Sequence, residues 1–309
     1  IAVQSLLMSN VIKLLRKEGY ELLELVDTKP RCFDIIAKKN KKILLLKVLY
    51  NVDSLKPEIA EEMKKLAKIL NAIAIVIGER FKTDFLERRV VYTRYNLPVI
   101  NLATFYDYLR GELPYIYSAP GGYYVKIDAE KMRKAREALR ISIGETARKL
   151  GVSKRTVMNY EEGSDASVDV AIKIEELFGN VIKKIDFREF VENEKIEECE
   201  EENEIVCKLR EIGISVYTVK HTPFDAVSKV ENRDILMGLK QIREIERRAM
   251  LIGKVSQIVC ADAAYITERE MKKKIESVVF VHKEELESVA SPDDFISLID
   301  EKTGRCEDA

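Results

Sequence analysis

"GETARKLGVSKRTVMNYEEGS", residues 144–164, holds two short helical patterns around a glycine. Ala147 and Leu150 mark the apolar side of the first pattern, and Val157 and Tyr160 that of the second. Gly151 between them supplies the left-handed turn residue that a helix-turn-helix corner needs. The run Ser153-Lys154-Arg155-Thr156 starts the second helix. Upstream, Met132, Ala135 and Leu139 give one face of a preceding helix. Downstream, Ser167 is a good N-cap for a fourth helix, with apolar positions Val170, Ile174 and Leu177. Residues 128–187 therefore read as wholly helical.

The charge on this stretch is uneven. Between residues 131 and 155 nine Lys/Arg face two Glu, although the 309-residue chain has a net charge of −1. Such local clustering in a neutral chain suits phosphate binding. On a reading helix of about 153–162, Arg155 suits guanine O6/N7, Asn159 suits adenine N6/N7, and Lys154 suits guanine or phosphate. Ser153 and Thr156 can hold phosphate with the exposed amides of the helix N-terminus. Arg140, Arg148 and Lys149 complete the expected DNA-binding set.

The residues "MRKAREALRIS-GETARKLGVSKRTVMNYEEG---S-DVAIKIEELFG" resemble the Cro/phage-repressor type of helix-turn-helix, over roughly 50 residues at that family's spacing. The resemblance implies sequence-specific reading of duplex DNA as a dimer. One position departs from the family pattern. A Gln that usually anchors phosphate at the start of the second helix is Ile143 here, so that anchor is missing or supplied elsewhere.

Outside this module the pattern alternates. Leu6, Leu7, Val11, Leu14 and Leu15 recur at helical spacing before Gly19, and "YELLELV" and "CFDIIAKKNKKILLLKVLY" read as strands. A charged helix over 57–71, the buried-strand signature "AIAIVIG", a strand at Val99-Ile100 and a helix from Thr104 to Arg110 follow. That order predicts an α/β domain over 1–113, with 114–127 as a linker or strand. Nine Glu in "REFVENEKIEECEEENE" predict a solvated acidic connector over 188–203.

Residues 204–309 repeat the first segment: "VIKLLRKEGYELLEL" matches "IVCKLREIGISVYTV", and "FDIIAKKNKKILLLK" matches "FDAVSKVENRDILMGLK". The fold class expected is therefore multidomain, two α/β domains flanking an all-α bundle. "FDIIAKKNKKILLLK" resembles the PD-(D/E)XK nuclease core, in its archaeal Holliday-junction-resolvase branch. That family holds Mg²⁺ with an Asp and the Glu of a Glu-x-Lys, and its Lys helps position the attacking water. Asp34 and Lys47 fit, but Leu45 stands at the Glu position; the second copy has Asp225, Gly238 and Lys240. One carboxylate cannot replace two, so both copies read as inactive, unless an acid has migrated to Glu61, Glu62 or Glu246. Asp34 and Lys47 then read as a residual strand-end ion pair.

The remaining inventory is poor in chemistry. Five cysteines (Cys32, Cys199, Cys207, Cys260, Cys306) are scattered with no C-x-x-C, and the two histidines are His221 and His282. These read as reduced thiols and incidental loop histidines, with no metal and no cofactor expected. No apolar run reaches about 18 residues, and no leader pattern is visible. The layout as a whole resembles an archaeal family of Cro-type helix-turn-helix transcriptional regulators. The resemblance implies a sequence-specific DNA-binding regulator, expected as a dimer; the scattered thiols suit the cytoplasm, and no small-molecule ligand is evident in the sequence. The competing readings are a Mg²⁺-dependent structure-selective nuclease and a protein-interaction adaptor.

Overall fold

The computed structural model describes residues 2–26, 29, 31–196 and 203–304. The chain begins with α1 (Ala2–Lys17), β1 (Glu21–Glu24), β2 (Ile35–Lys39), β3 (Lys42–Asn51) and α2 (Pro57–Ile69). Next come β4 (Ile73–Phe81), β5 (Asp84–Phe85), β6 (Val90–Arg94), β7 (Leu97–Ile100) and α3 (Leu102–Leu109). A hairpin of β8 (Ile116–Ala119) and β9 (Gly122–Ile127) leads into α4 (Ala129–Ala138), α5 (Ile143–Leu150) and α6 (Lys154–Glu161). Then follow β10 (Ala166–Ser167), α7 (Val168–Phe178), β11 (Ile182–Lys183) and α8 (Glu189–Glu192). The C-terminal part has α9 (Glu204–Glu211), β12 (Ser215–Thr218), β13 (Ala226–Val230), β14 (Arg233–Gly238) and α10 (Ile245–Val259). It ends with β15 (Asp262–Thr267), β16 (Lys274–Ile275), β17 (Val278–His282), α11 (Lys283–Glu287) and α12 (Pro292–Thr303).

Two compact units emerge, and each draws on separate stretches of chain. One comprises residues 1–11, 49–54 and 76–187; the other comprises 12–48, 55–75 and 188–309. In the first unit β4 runs parallel to β7, β7 antiparallel to β6, β6 parallel to β8, and β8 antiparallel to β9. Asn101 starts α3, accepting from Thr104 N at 2.9 Å and donating to Leu86 O at 2.9 Å. The fork of Arg88 closes on Asp107 at 2.9 and 2.5 Å, and holds that carboxyl below the usual range.

The helical segment differs from the sequence expectation in one respect. Residues 128–187 are not wholly helical: β10 and β11 both pair with β9, Ala166 opposite Val125 and Ile182 opposite Ile127. Two-residue strands are too short to leave a period of two in the sequence. They bind the module to the hairpin, whose Val125 and Ile127 share a buried core with Met132, Ala147, Leu150, Val157, Tyr160 and Ile174.

Two leucines also differ from expectation. Leu7, Val11 and Leu15 form the buried stripe of α1, whereas Leu6 beside it is 59 % exposed. Leu139 is the C-cap of α4, outside its last buried turn, and is 51 % exposed.

In the second unit β1, β2 and β3 make antiparallel pairs, with Ile35 opposite Leu46 and Ile36 opposite Leu45. A separate six-stranded sheet has the order β12-β13-β14-β15-β17-β16, parallel at β14–β15 and β15–β17. Its core joins Val216, Ile235, Met237, Ile266 and Val279 to Leu209 of α9 and to Phe295 and Ile299 of α12. The stretch read as an acidic connector contains α8, and its residues 197–202 lie outside the described residues. Cys199 and Cys306 also lie outside them.

Candidate nucleic-acid interface

Two hydroxyl caps and one glycine build the corner of the module. Ser142 Oγ accepts from Glu145 N at 3.1 Å and starts α5; Ser153 Oγ accepts from Thr156 N at 3.0 Å and starts α6. Gly151 ends α5 at φ 70°, where a side chain would be strained. The hydroxyls of Ser153 and Thr156 also lie 2.8 Å apart, so both belong to the cap of α6.

An ion pair with no motif in the sequence seats α6. Glu161 is 6 % exposed and accepts from Arg136 at 2.5 Å (Nε to Oε1) and 3.1 Å (Nη2 to Oε2). Arg133 donates to the Glu161 carbonyl at 2.8 Å. The one available signal was positional: Glu161 lies four residues after Val157, on the helix face that Val157 and Tyr160 place inward.

Pairing redistributes the cluster of cations. Lys131 lies 3.8 Å from Asp128 and Lys134 lies 2.5 Å from Glu130, while Arg133 and Arg136 serve Glu161. Over 128–162 the nine Lys/Arg thus meet six carboxylates, a smaller excess than the window 131–155 suggests. Arg140, Arg148, Lys149, Lys154 and Arg155 remain exposed and make no ion pair among the described residues. Asn159 is half-buried on α6. Arg140 stands at φ 54°, an uncommon conformation for a residue with a side chain.

Ile143 turns into the core at the start of α5, so it offers phosphate nothing. The stem of Lys154 crosses the same end: a Cβ on Gly144 would stand 2.9 Å from Lys154 Cε. A cation from α6 therefore lies over the turn where the related helices place Gln.

The two strand-end aspartates are capped by cations. Asp34 is 3 % exposed and accepts from Arg31 Nε at 2.6 Å, Lys47 Nζ at 3.2 Å and Val48 N at 2.8 Å. Leu45 is fully buried. Asp225 accepts from Arg248 Nη2 at 2.7 Å and from the Leu239 and Lys240 amides at 2.8 and 3.1 Å; Lys240 Nζ lies 3.3 Å away. A Cβ on Gly238 would stand 2.4 Å from the Tyr265 ring, so that ring fills the space of the vacated side chain. Of the alternative acids, Glu62 accepts from Lys220 N at 2.8 Å, and Glu61 and Glu246 are exposed. Among the described residues no cluster of three His, Cys, Asp or Glu side chains is placed to hold a metal. Cys32 is buried, which pushes its thiol up, while Cys207 and Cys260 are exposed. His221 O accepts from Cys32 N, and His282 caps α11.

Comparison with known proteins agrees with these features. Residues 4–114 match the model of a PD-(D/E)XK superfamily domain, and residues 132–181 match a helix-turn-helix model. A relative from Archaeoglobus fulgidus is 60 % identical over 307 residues, covering 98 % of this chain and 99 % of its own length. Others come from Methanospirillum hungatei (36 % identical, 96 % and 99 % covered) and Thermococcus gammatolerans (35 %, 95 % and 95 %). All three bear the name "Putative HTH-type transcriptional regulatory protein".

The chain belongs to this family.

No solved structure matches it. In this family member the helix-turn-helix and the PD-(D/E)XK domain occupy separate stretches, and among the described residues no helix is long and apolar enough to cross a membrane.

Proposed function

We propose that this regulator reads duplex DNA with α6 in the major groove, and that it does so as a homodimer in the cytoplasm. The observation that carries the reading is the set of five exposed cations on α5, α6 and the turn before α5 that make no ion pair among the described residues. Burying so many unpaired charges against protein would be costly, whereas phosphates neutralise them and release counterions. Arg148, Lys149 and Arg140 contact the backbone, with Ser153 and Thr156 contributing at the α6 N-terminus. Lys154 supplies the phosphate contact that Ile143 cannot. Arg155 and Asn159 face base edges.

Arg155→Ala tests this assignment. Removing one Arg–guanine contact is expected to cost about 1–3 kcal/mol at the preferred site and little at other sites. Selected-site binding should lose its preference at one position while the thermal melt is unchanged. An unaltered motif would assign the reading to another helix.

Arg140 gives a second, opposite pair of effects. Arg140→Gly removes a side chain from the left-handed region and is expected to stabilise the module by up to about 1 kcal/mol. The same change should weaken DNA binding at every sequence and lower the salt slope by about one phosphate. A gain in melting temperature with unchanged affinity would remove Arg140 from the interface.

The C-terminal sheet serves as a second PD-(D/E)XK-like copy of the first, and neither copy cleaves DNA. Arg31 and Arg248 put a guanidinium on the aspartate oxygens where the active family members bind Mg²⁺. The domains are retained to dimerise the reading heads or to position them on half-sites about one helical turn apart. A strictly monomeric mass, with and without DNA, would contradict the dimer.

A further inference from the structure

The exposed face of α6 carries one large apolar side chain: Met158 is 41 % exposed on a helix whose other apolar side chains, Val157 and Tyr160, are buried. At about 100° per residue, Met158 lies about 40° around the helix from Lys154 and about 60° from Arg155. It therefore sits between these two cations, with exposed Glu162 one turn further on. Asn159 lies at the margin of this face, where it is half-buried.

Two flanking cations that make no ion pair among the described residues decide what covers such a methionine. A second copy of the same face would bring like charges together, which is unfavourable. A nucleic-acid groove matches both the charge and the apolar centre. Among the four bases only thymine shows a methyl group in the major groove. The unbranched thioether of Met can adapt its contour to that methyl.

Resting on the DNA-reading role of α6 proposed above, we infer that Met158 recognises the C5-methyl of a thymine in the major groove. Arg155 and Met158 are three residues apart, about 4.5 Å along the axis, and successive bases are about 3.4 Å apart. The thymine therefore lies within about two base pairs of the base that Arg155 contacts.

The test uses the full chain and duplexes selected from a random pool. Wild type is expected to enrich a motif with a required thymine beside the Arg155-dependent position. Replacing that thymine by deoxyuridine, which removes only the methyl, should weaken wild-type binding by about three- to fivefold. Met158→Ala should bind both duplexes equally, and Met158→Leu should keep most of the preference. Because Met158 is exposed, these variants retain the fold, which an unchanged melt verifies. If uracil costs wild type and Met158→Ala the same factor, another residue holds the methyl and the inference fails alone. If Met158→Ala keeps the full thymine preference, it fails likewise. If wild type enriches no motif at all, the DNA-reading role itself is wrong and the inference falls with it.

Discussion

Glu161→Ala is expected to destabilise the helix-turn-helix module by about 3–5 kcal/mol, and to remove DNA binding with it. Glu161 is 6 % exposed and takes both hydrogen bonds of the Arg136 fork at 2.5 and 3.1 Å. Truncation leaves the Arg136 guanidinium, mostly covered by the module, without its carboxylate. It also removes the side-chain link between α6 and α4, leaving them joined by the Arg133 contact to the carbonyl of residue 161 and by the shared apolar core. Replacing both partners together, Arg136→Met with Glu161→Leu, should recover most of the loss, since two apolar groups bury without an orphaned charge. Chemical denaturation followed by circular dichroism checks this, scored on the transition that DNA shifts. A loss below about 1 kcal/mol would mean that the pair is solvent-screened like a surface bridge.

Leu45→Glu should be costly as well, and Mg²⁺ should not rescue it. Leu45 is fully buried on β3, and Lys47 two residues on is already engaged by Asp34, as is Arg31. Burying an uncompensated charge is expected to cost about 3–5 kcal/mol, or to force the new Glu to stay protonated. An intact nuclease site would behave differently, because two carboxylates would bind Mg²⁺ and regain stability from it. Here Arg31 at 2.6 Å and Lys47 at 3.2 Å already neutralise Asp34. Melting the variant with and without Mg²⁺ separates the cases. A rise in melting temperature with Mg²⁺, or new cleavage of DNA, would show a metal site needing only its acid.

The sequence made some features legible for physical reasons and concealed others. Gly151 and the two hydroxyl caps have local causes, a left-handed residue and a side chain bonding an amide three residues on, so the helix corner could be read directly. The α/β order was legible because buried strands such as "AIAIVIG" have no polar interruptions. The two-residue strands β10 and β11 were not, because their pairing with β9 is non-local and leaves no period. Leu6 and Leu139 have apolar side chains near buried stripes, and only packing shows that they fall outside them.

At the candidate interface, composition misled in one way and missed in another. Counting cations over 131–155 included Arg136 and Lys134, whose partners Glu161 and Glu130 stand just outside that window. Met158 is not legible in the sequence, since an exposed apolar residue carries no chemical signature in one dimension. The Arg31 and Arg248 caps on Asp34 and Asp225 were equally hidden: one comes from the preceding loop and the other from α10, with no motif spacing to betray them.

Selection from a random duplex pool with Mg²⁺ present, scoring bound and cut molecules in the same gel, separates a dimeric reader of DNA from a nuclease. Enrichment of an inverted repeat with both strands intact is the expected result. Nicked or cleaved DNA without an enriched motif would contradict it.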